Sequence, residues 1–510
     1  MSSRIVDTPD PVKVGHTGLV ILDGIGLGVA DVVRLADGSA RPVPGTEATK
    51  RVTESWDAAR QIAATGRVYG RSTGVGANRN EDVPTEAAAE HGLRLLRSHA
   101  GAIGEELPAR QVRAMLAVRA NQLLAGGAGL RPTVVTALCE ALESGAYPVV
   151  NEFGSVGTGD IAALAQAGLA LAGEHPWRGA DGAAGGAPEP QLLDNNDALA
   201  FISSNALTLG QAALALHELR GLIEATQVVG ALSLLAVDGS HEAYAAPVHA
   251  ARPHRGSVEV ARRMRVLIGA EDRPTPPLGR IQDPYGFRCL PQIHGPAQDA
   301  ADTLEEVLAI EINAAAENPL ISPQDMAAYH HGGFYQAQLA LALDHFRLAL
   351  TQVARLSTSR LSTLNEPAFT RLRPFLADQE PASSGVMILE YAAGAALGDL
   401  RAFSAPASLG HAVLSRGVEE QASFASLAAR QTLRACGAYR LVVGCELVAA
   451  VRALRQRDLR PDPDLPVGRA LELAEAVLEE DPADRPLTGD VTAAAALLDR
   501  FTDIWRGSEA

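Results

Sequence analysis

Four stretches of this 510-residue chain combine residue types that can move a proton or hold a carboxylate. VYGRSTGVG, Val68–Gly76, presents Tyr69 on a glycine- and hydroxyl-rich loop, and LLRSHAGAIGEEL, Leu95–Leu107, puts His99 on a short helix that stops at glycine. RIQDPYGFRCLPQIHG, Arg280–Gly295, sets Tyr285 and Arg288 three apart; EINAAAENPLI, Glu311–Ile321, ends a helix with a carboxylate, an amide and a proline. Phenols for proton transfer, an arginine whose planar fork pairs with a carboxylate and a histidine for recognition suit proton abstraction beside a carboxylate. A fifth stretch, GSVGTGDIAALA, crowds glycine and hydroxyl residues between Gly154 and Gly159, then turns through an acid into an apolar helix. Ordered glycines give up unusual backbone freedom, so this loop, with Thr158 held between Gly157 and Gly159, calls for a functional reason.

The elements that must position these residues read as mostly helical. Gly18–Asp37 predicts a short strand, a glycine turn and an amphipathic helix; its glycines are spaced GxGxG, which favours a tight turn over a dinucleotide loop. Helical periodicity runs from Ala87 to Gly145 with breaks near Glu105–Pro108 and Gly126–Pro132, and Pro176–Pro190 reads as an exposed linker. Long helices are predicted over Asp197–Leu235, Pro296–Ala316, Gly333–Leu361, Ser384–Phe403 and Gly417–Arg455, then short helices with proline turns from Leu459 to Ala510. Two domains are expected: residues 1–195, small and α/β-flavoured, with the tyrosine and Gly-Thr-Gly loops, and residues 196–510, a long-helix bundle.

A net charge of −16 without a basic stripe makes nucleic acid and anionic membrane poor partners. Four well-separated cysteines and no CxxC pair point to a reducing, cytoplasmic compartment. The N-terminal MSSRIVDTPDPVKVGHTG lacks the apolar stretch of a signal peptide, and no uninterrupted apolar run is long enough to span a bilayer. Tyr329, His330 and His331 look metal-like, but adjacent histidines converge poorly on one ion; no metal is expected and they read as a loop cover.

QDPYxxRCxPQ followed by NPL, in order with the other motifs from about Val20 to Arg455, resembles the histidine and phenylalanine ammonia-lyases, the aromatic amino acid lyases. The resemblance implies a mainly α, elongated helical-bundle lyase fold (histidine ammonia-lyase/fumarase-like) and a homotetramer whose active sites each draw on three subunits. It also implies roles. Tyr69 matches the catalytic tyrosine, Tyr285 a second tyrosine, Arg288 the arginine for the substrate carboxylate, and His99 and Glu419 the histidine-lyase residues that set side-chain choice. Ser203 aligns with a family asparagine, Asn205 lies two positions on, and Tyr335 closes GGFY where the family has GGNFH.

Family members build a methylideneimidazolone electrophile from Ala-Ser-Gly in a loop resembling GSVGASGDLAPLA. Here the loop is one residue shorter, and Thr158 stands in place of the serine. The standard group is expected to be absent. The loop is expected to stay uncyclised and offer the amides of a helix N-terminus; a Thr158-derived variant is the alternative. Three functions follow. The first is a carbon–nitrogen lyase releasing an amine from an aromatic, imidazole-like α-amino acid. The second is an ergothionase-like elimination of trimethylamine, with Glu390 near a cationic nitrogen. The third is an inactive lyase-fold binding protein.

Overall fold

The computed structural model describes residues 18–274 and 280–509; the stretch in which no signal peptide is expected lies, up to residue 17, outside them. The chain is mainly helical, as expected, and its few strands form two-stranded pairs. It divides into two compact units, each assembled from separated segments. Unit 1 comprises the described parts of Met1–His217, with Glu305–Leu343 and Pro406–Arg430. Unit 2 comprises Glu218–Leu304, Asp344–Ala405 and Gln431–Ala510. The expected boundary at residue 195 falls inside unit 1.

In unit 1, strand Gly18–Leu22 pairs parallel with Ala40–Pro44 across helix Val29–Ala36. The GxGxG segment is a tight turn. Asp23 accepts the amides of Ile25 and Gly26 at 2.8 and 2.7 Å, and Gly24 adopts φ +75°. A Cβ on Gly24 would lie 2.4 Å from the Ala125 nitrogen, so backbone packing, not a phosphate, dictates glycine there. Helices Ala88–His99, Ala109–Leu124 and Pro132–Ser144 fall between the predicted breaks. The predicted linker is largely exposed apart from Trp177, which is buried and donates its indole N–H to the Ala170 carbonyl at 2.8 Å.

The long helices differ from expectation in informative ways. The helix expected over Asp197–Leu235 breaks at Ser203–Asn205, giving Ala198–Ile202 and Ala206–Ala236. Pro296 lies inside Leu290–Glu311 rather than at its start; one lost backbone bond does not end a helix held by its packed apolar face. The last long helix begins at Ala425, not Gly417, because Ser415, Arg416, Gly417 and Phe424 all take positive φ in a turned loop. Ala198–Ala236 is long and apolar enough to cross a membrane, but 94% of its apolar window is buried in the protein, as in a core helix. None of the four cysteines forms a disulfide.

Candidate active site

Unit 1 carries a cavity of about 900 Å³ whose wall brings together Tyr69, Thr158, Gly159, Ser203, Tyr335 and Glu419. Five separated stretches supply them, so each is set by its own local anchor.

Tyr69 sits on a loop tied down at both ends. The Val68 amide donates to Ser72 Oγ at 2.8 Å. Buried Arg71 donates to the Ala128 and Gly129 carbonyls at 2.6 and 3.2 Å. The Tyr69 hydroxyl accepts the Gly76 amide at 2.8 Å, and the His330 ring stands edge-on at 6.4 Å. Burial pushes the phenol above its ordinary value of 10; the Gly76 N–H opposes this, Glu419 adds to the rise, and Arg79 counters it.

Glu419 comes from the loop that precedes Ala425. Its backbone bridges Leu414, while Ser415 Oγ accepts the Ala77 amide at 3.0 Å and docks this loop against the Tyr69 turn. Ser203 and Ser204 reach the cavity because the helix breaks there: Ser203 Oγ accepts the Asn318 amide at 3.0 Å, and Ser204 Oγ donates to Gln122 at 2.6 Å. Arg79, Asn318 and His330 also line the wall. Asn318 belongs to the NPL motif and was within reach of sequence reasoning; Arg79 carries no motif. The paired histidines are loop residues, as expected. The His331 ring binds the Glu317 carbonyl and the Gly333 amide at 2.8 Å each, and no cluster of three metal-binding side chains occurs among the described residues.

Other expected residues do not line this cavity. His99 turns its Nδ1 onto the Leu95 carbonyl of its own helix at 2.9 Å. Asn205 is buried, donates to the Phe334 carbonyl at 2.8 Å, and leaves its Oδ1 without a partner. Tyr285, Arg288 and Glu390 belong to unit 2. There the Arg288 guanidinium lies 4.7 Å from the centre of the Tyr285 ring and donates through Nε to the Asp283 carbonyl at 2.7 Å. Tyr285 is 69% exposed. Glu390 accepts the Asn365 amide group at 2.9 Å.

The Thr158 loop is pinned on every side. Ser155 Oγ accepts the Gly157 amide at 3.1 Å and donates to the Gly159 carbonyl at 3.0 Å. Ser423 Oγ donates to the Gly157 carbonyl at 2.9 Å, and the Phe424 amide to the Val156 carbonyl at 2.8 Å. Buried Asp160 opens the following helix; burial raises its pKa, while Thr208 bonds both carboxylate oxygens. Its own amide is bonded to the Ser204 carbonyl at 2.7 Å, so the expected helix-terminal anion site loses that donor.

These residues do not fit the alanine-serine-glycine precursor of a methylideneimidazolone. A Cβ at Gly157, which has φ +90°, would lie 2.2 Å from Ser423 Oγ and 2.8 Å from the Phe424 nitrogen. Cyclisation would also have to carry the Gly157 carbonyl away from the hydroxyl that holds it. Gly157→Ala is accordingly expected to destabilise the protein by about 2–5 kcal/mol, as strain and overpacking add; a melting temperature equal to that of the wild type would contradict this geometry.

Over residues 27–479 the chain matches the aromatic amino acid lyase family. It is similar to the histidine ammonia-lyase of Geobacillus kaustophilus (strain HTA426), with 34% identity over 450 residues, 86% of this chain and 89% of the relative. Among solved structures it is similar to histidine ammonia-lyase from Trypanosoma cruzi, with a TM-score of 0.88 and 27% identity over 97% of this chain and 95% of the other. It is also similar to the ergothioneine-degrading ergothionase from Treponema denticola, with a TM-score of 0.87 and 25% identity over 95% and 99%. Since the match covers residues 27–479, and with them the Tyr69 loop, the Thr158 loop, the Tyr285–Arg288 turn and Glu419, the chain belongs to the aromatic amino acid lyase family of carbon–nitrogen lyases.

Proposed function

We propose that this protein eliminates an amine from an α-amino acid with an imidazole-like side chain, using Tyr69 as the base and no standard methylideneimidazolone. The observation that carries the reading is the meeting of a half-buried phenol, the Glu419 carboxylate and Ser203 in one cavity. Tyr69, as phenolate, takes the β-proton; the C–H electrons form the Cα–Cβ double bond, and the amine leaves from Cα with its bonding pair. Glu419 holds an imidazole N–H, and Arg288 holds the carboxylate.

In this reading Arg288 and Tyr285 serve the cavity of a neighbouring subunit in a homotetramer. The reading is supported by the exposure of Tyr285 and by helix Ile388–Phe403, where Ile388 and Tyr391 are 57% and 68% exposed. Gly394 and Gly398 on that helix have open space where a Cβ would stand, which suits close helix approach. Light scattering should give a mass near four times the 53.2 kDa chain; a stable monomer at micromolar concentration would remove the shared site.

The misfit of the Thr158 loop favours one leaving group over another. A free amine leaves poorly without an electrophile, whereas a trialkylammonium leaves unaided. We therefore place a trimethylated histidine derivative first among substrates and plain L-histidine second. The test is product formation from trimethylated histidine derivatives, L-histidine, L-phenylalanine and L-tyrosine, read as the unsaturated acid, together with intact mass. The encoded mass, and turnover of a trimethylated substrate alone, are expected. A chain lighter by two waters that turns over plain L-histidine would overturn both parts.

A further inference from the structure

The Tyr285–Arg288 turn rests on a charged cluster in the core of unit 2. Arg360 and Glu446 are both fully buried and form a two-pronged ion pair, with Nε to Oε1 at 2.6 Å and Nη2 to Oε2 at 2.8 Å. Ser233 and Ser357 donate to the same two oxygens at 2.7 and 2.5 Å, so each carboxylate oxygen accepts two bonds. Burying such a pair is a poor route to stability, since desolvation offsets the attraction. What Arg360 fixes is visible in its remaining nitrogen. Nη1 donates to the Gly286 carbonyl at 3.3 Å, in the middle of the turn.

The contact is close in a second sense. A Cβ on Gly286 would lie 3.0 Å from Arg360 Cγ, so the turn is seated directly on the arginine stem. Two other tethers complete the seat. Tyr244 donates to the Phe287 carbonyl at 3.0 Å, and the Asp283 carboxylate is held by Arg280 Nη2 at 2.8 Å and by the Ser240 amide. Arg288 spends Nε on the Asp283 carbonyl, which leaves its two terminal amino groups as a forked donor for a carboxylate.

We propose that Arg360, locked by Glu446, is a positioning residue that sets the height and direction of the Tyr285–Arg288 turn and so governs carboxylate binding. A guanidinium clamped through two of its nitrogens has a third whose direction is fixed, and lysine cannot reproduce that geometry. This inference rests on the reading of Arg288 as the carboxylate residue, and the experiment separates the two.

Binding of 3-(imidazol-4-yl)acrylate, the unsaturated acid of a histidine-type elimination, is measured by calorimetry on the full-length assembled protein, with a melting curve for each variant. Arg288→Ala tests the site. Arg360→Lys and Gly286→Ala test the seat, the latter lifting the turn while leaving the ion pair intact. Arg347→Lys, which disturbs the separate buried Arg347–Asp344 pair, is the control for generic loss of a core charge pair. Arg360→Lys and Gly286→Ala are each expected to weaken binding about tenfold, as small misplacements of binding groups do. Arg347→Lys should lower the melting temperature and leave affinity unchanged. If Arg288→Ala weakens binding while Arg360→Lys and Gly286→Ala only lower the melting temperature, Arg360 is structural and the inference is overturned. If wild type does not bind, or Arg288→Ala binds as well as wild type, the site reading itself fails and this inference falls with it. If Arg360→Lys does not fold, Gly286→Ala decides alone.

Discussion

Tyr69→Phe is expected to lower kcat by about 10²–10⁴-fold while leaving the melting temperature close to that of the wild type, as removal of a general base does. The substitution removes only the hydroxyl, which accepts one backbone amide, from Gly76. A pH profile distinguishes a base from a packing residue. Only the phenolate accepts a proton, and burial, opposed by the Gly76 amide and reinforced by Glu419, holds the phenol above its ordinary 10. The active form is therefore scarce at neutral pH, and kcat/KM should rise with pH by about tenfold per unit until the phenol titrates.

The neighbours give the sign of two further shifts. Arg79 holds the phenol down and Glu419 holds it up. Arg79→Met should move the rising limb to higher pH, and Glu419→Gln should move it lower while raising KM for an imidazole substrate. A pH profile that neither variant displaces would remove Tyr69 from the role of base.

Arg288→Ala should cost about 2–5 kcal/mol in kcat/KM, the penalty for a buried carboxylate that loses its partner. Arg288→Lys should fall between the two, because it keeps the charge and loses the fork. The larger effect lies in combination. If Tyr69 and Arg288 in one site come from different subunits, two inactive variants can complement each other. Co-assembly of Tyr69→Phe with Arg288→Ala chains in equal amounts should recover about a quarter of wild-type activity, since each site needs an intact residue from two independently drawn subunits. Mixed tetramers no more active than either parent would place both residues of a site on one chain.

The motifs that identified the family lie in contiguous stretches, and these were legible because local chemistry writes them locally. A tyrosine among glycines, or an arginine three residues from a tyrosine, is specified within a single turn. Helix type and rough extent were legible for the same reason, since apolar periodicity is a short-range signal. The errors fall where a distant partner decides. Gly417–Phe424 carries a helical pattern, yet it forms a loop because Ser423 and Phe424 bond the Gly157 and Val156 carbonyls, far away in sequence. The break at Ser203–Asn205 likewise depends on Asp160 and Asn318, whose amides take the Ser204 carbonyl and the Ser203 hydroxyl.

What the sequence determined by itself is the family, the mainly helical class, the Tyr69 and Glu419 stretches, and the shortened Thr158 loop. What only the tertiary structure decided is which of these meet. It placed Arg79, Asn318 and His330 in the cavity wall and turned His99 onto its own helix. It also supplied the reason that Gly157 must be glycine, namely Ser423 Oγ at 2.2 Å from any added carbon. The division has a physical cause. Propensity and periodicity act over a few residues, whereas the position of a polar side chain in a cavity is set by which buried donor or acceptor it must satisfy. In a folded chain that partner can lie hundreds of residues away.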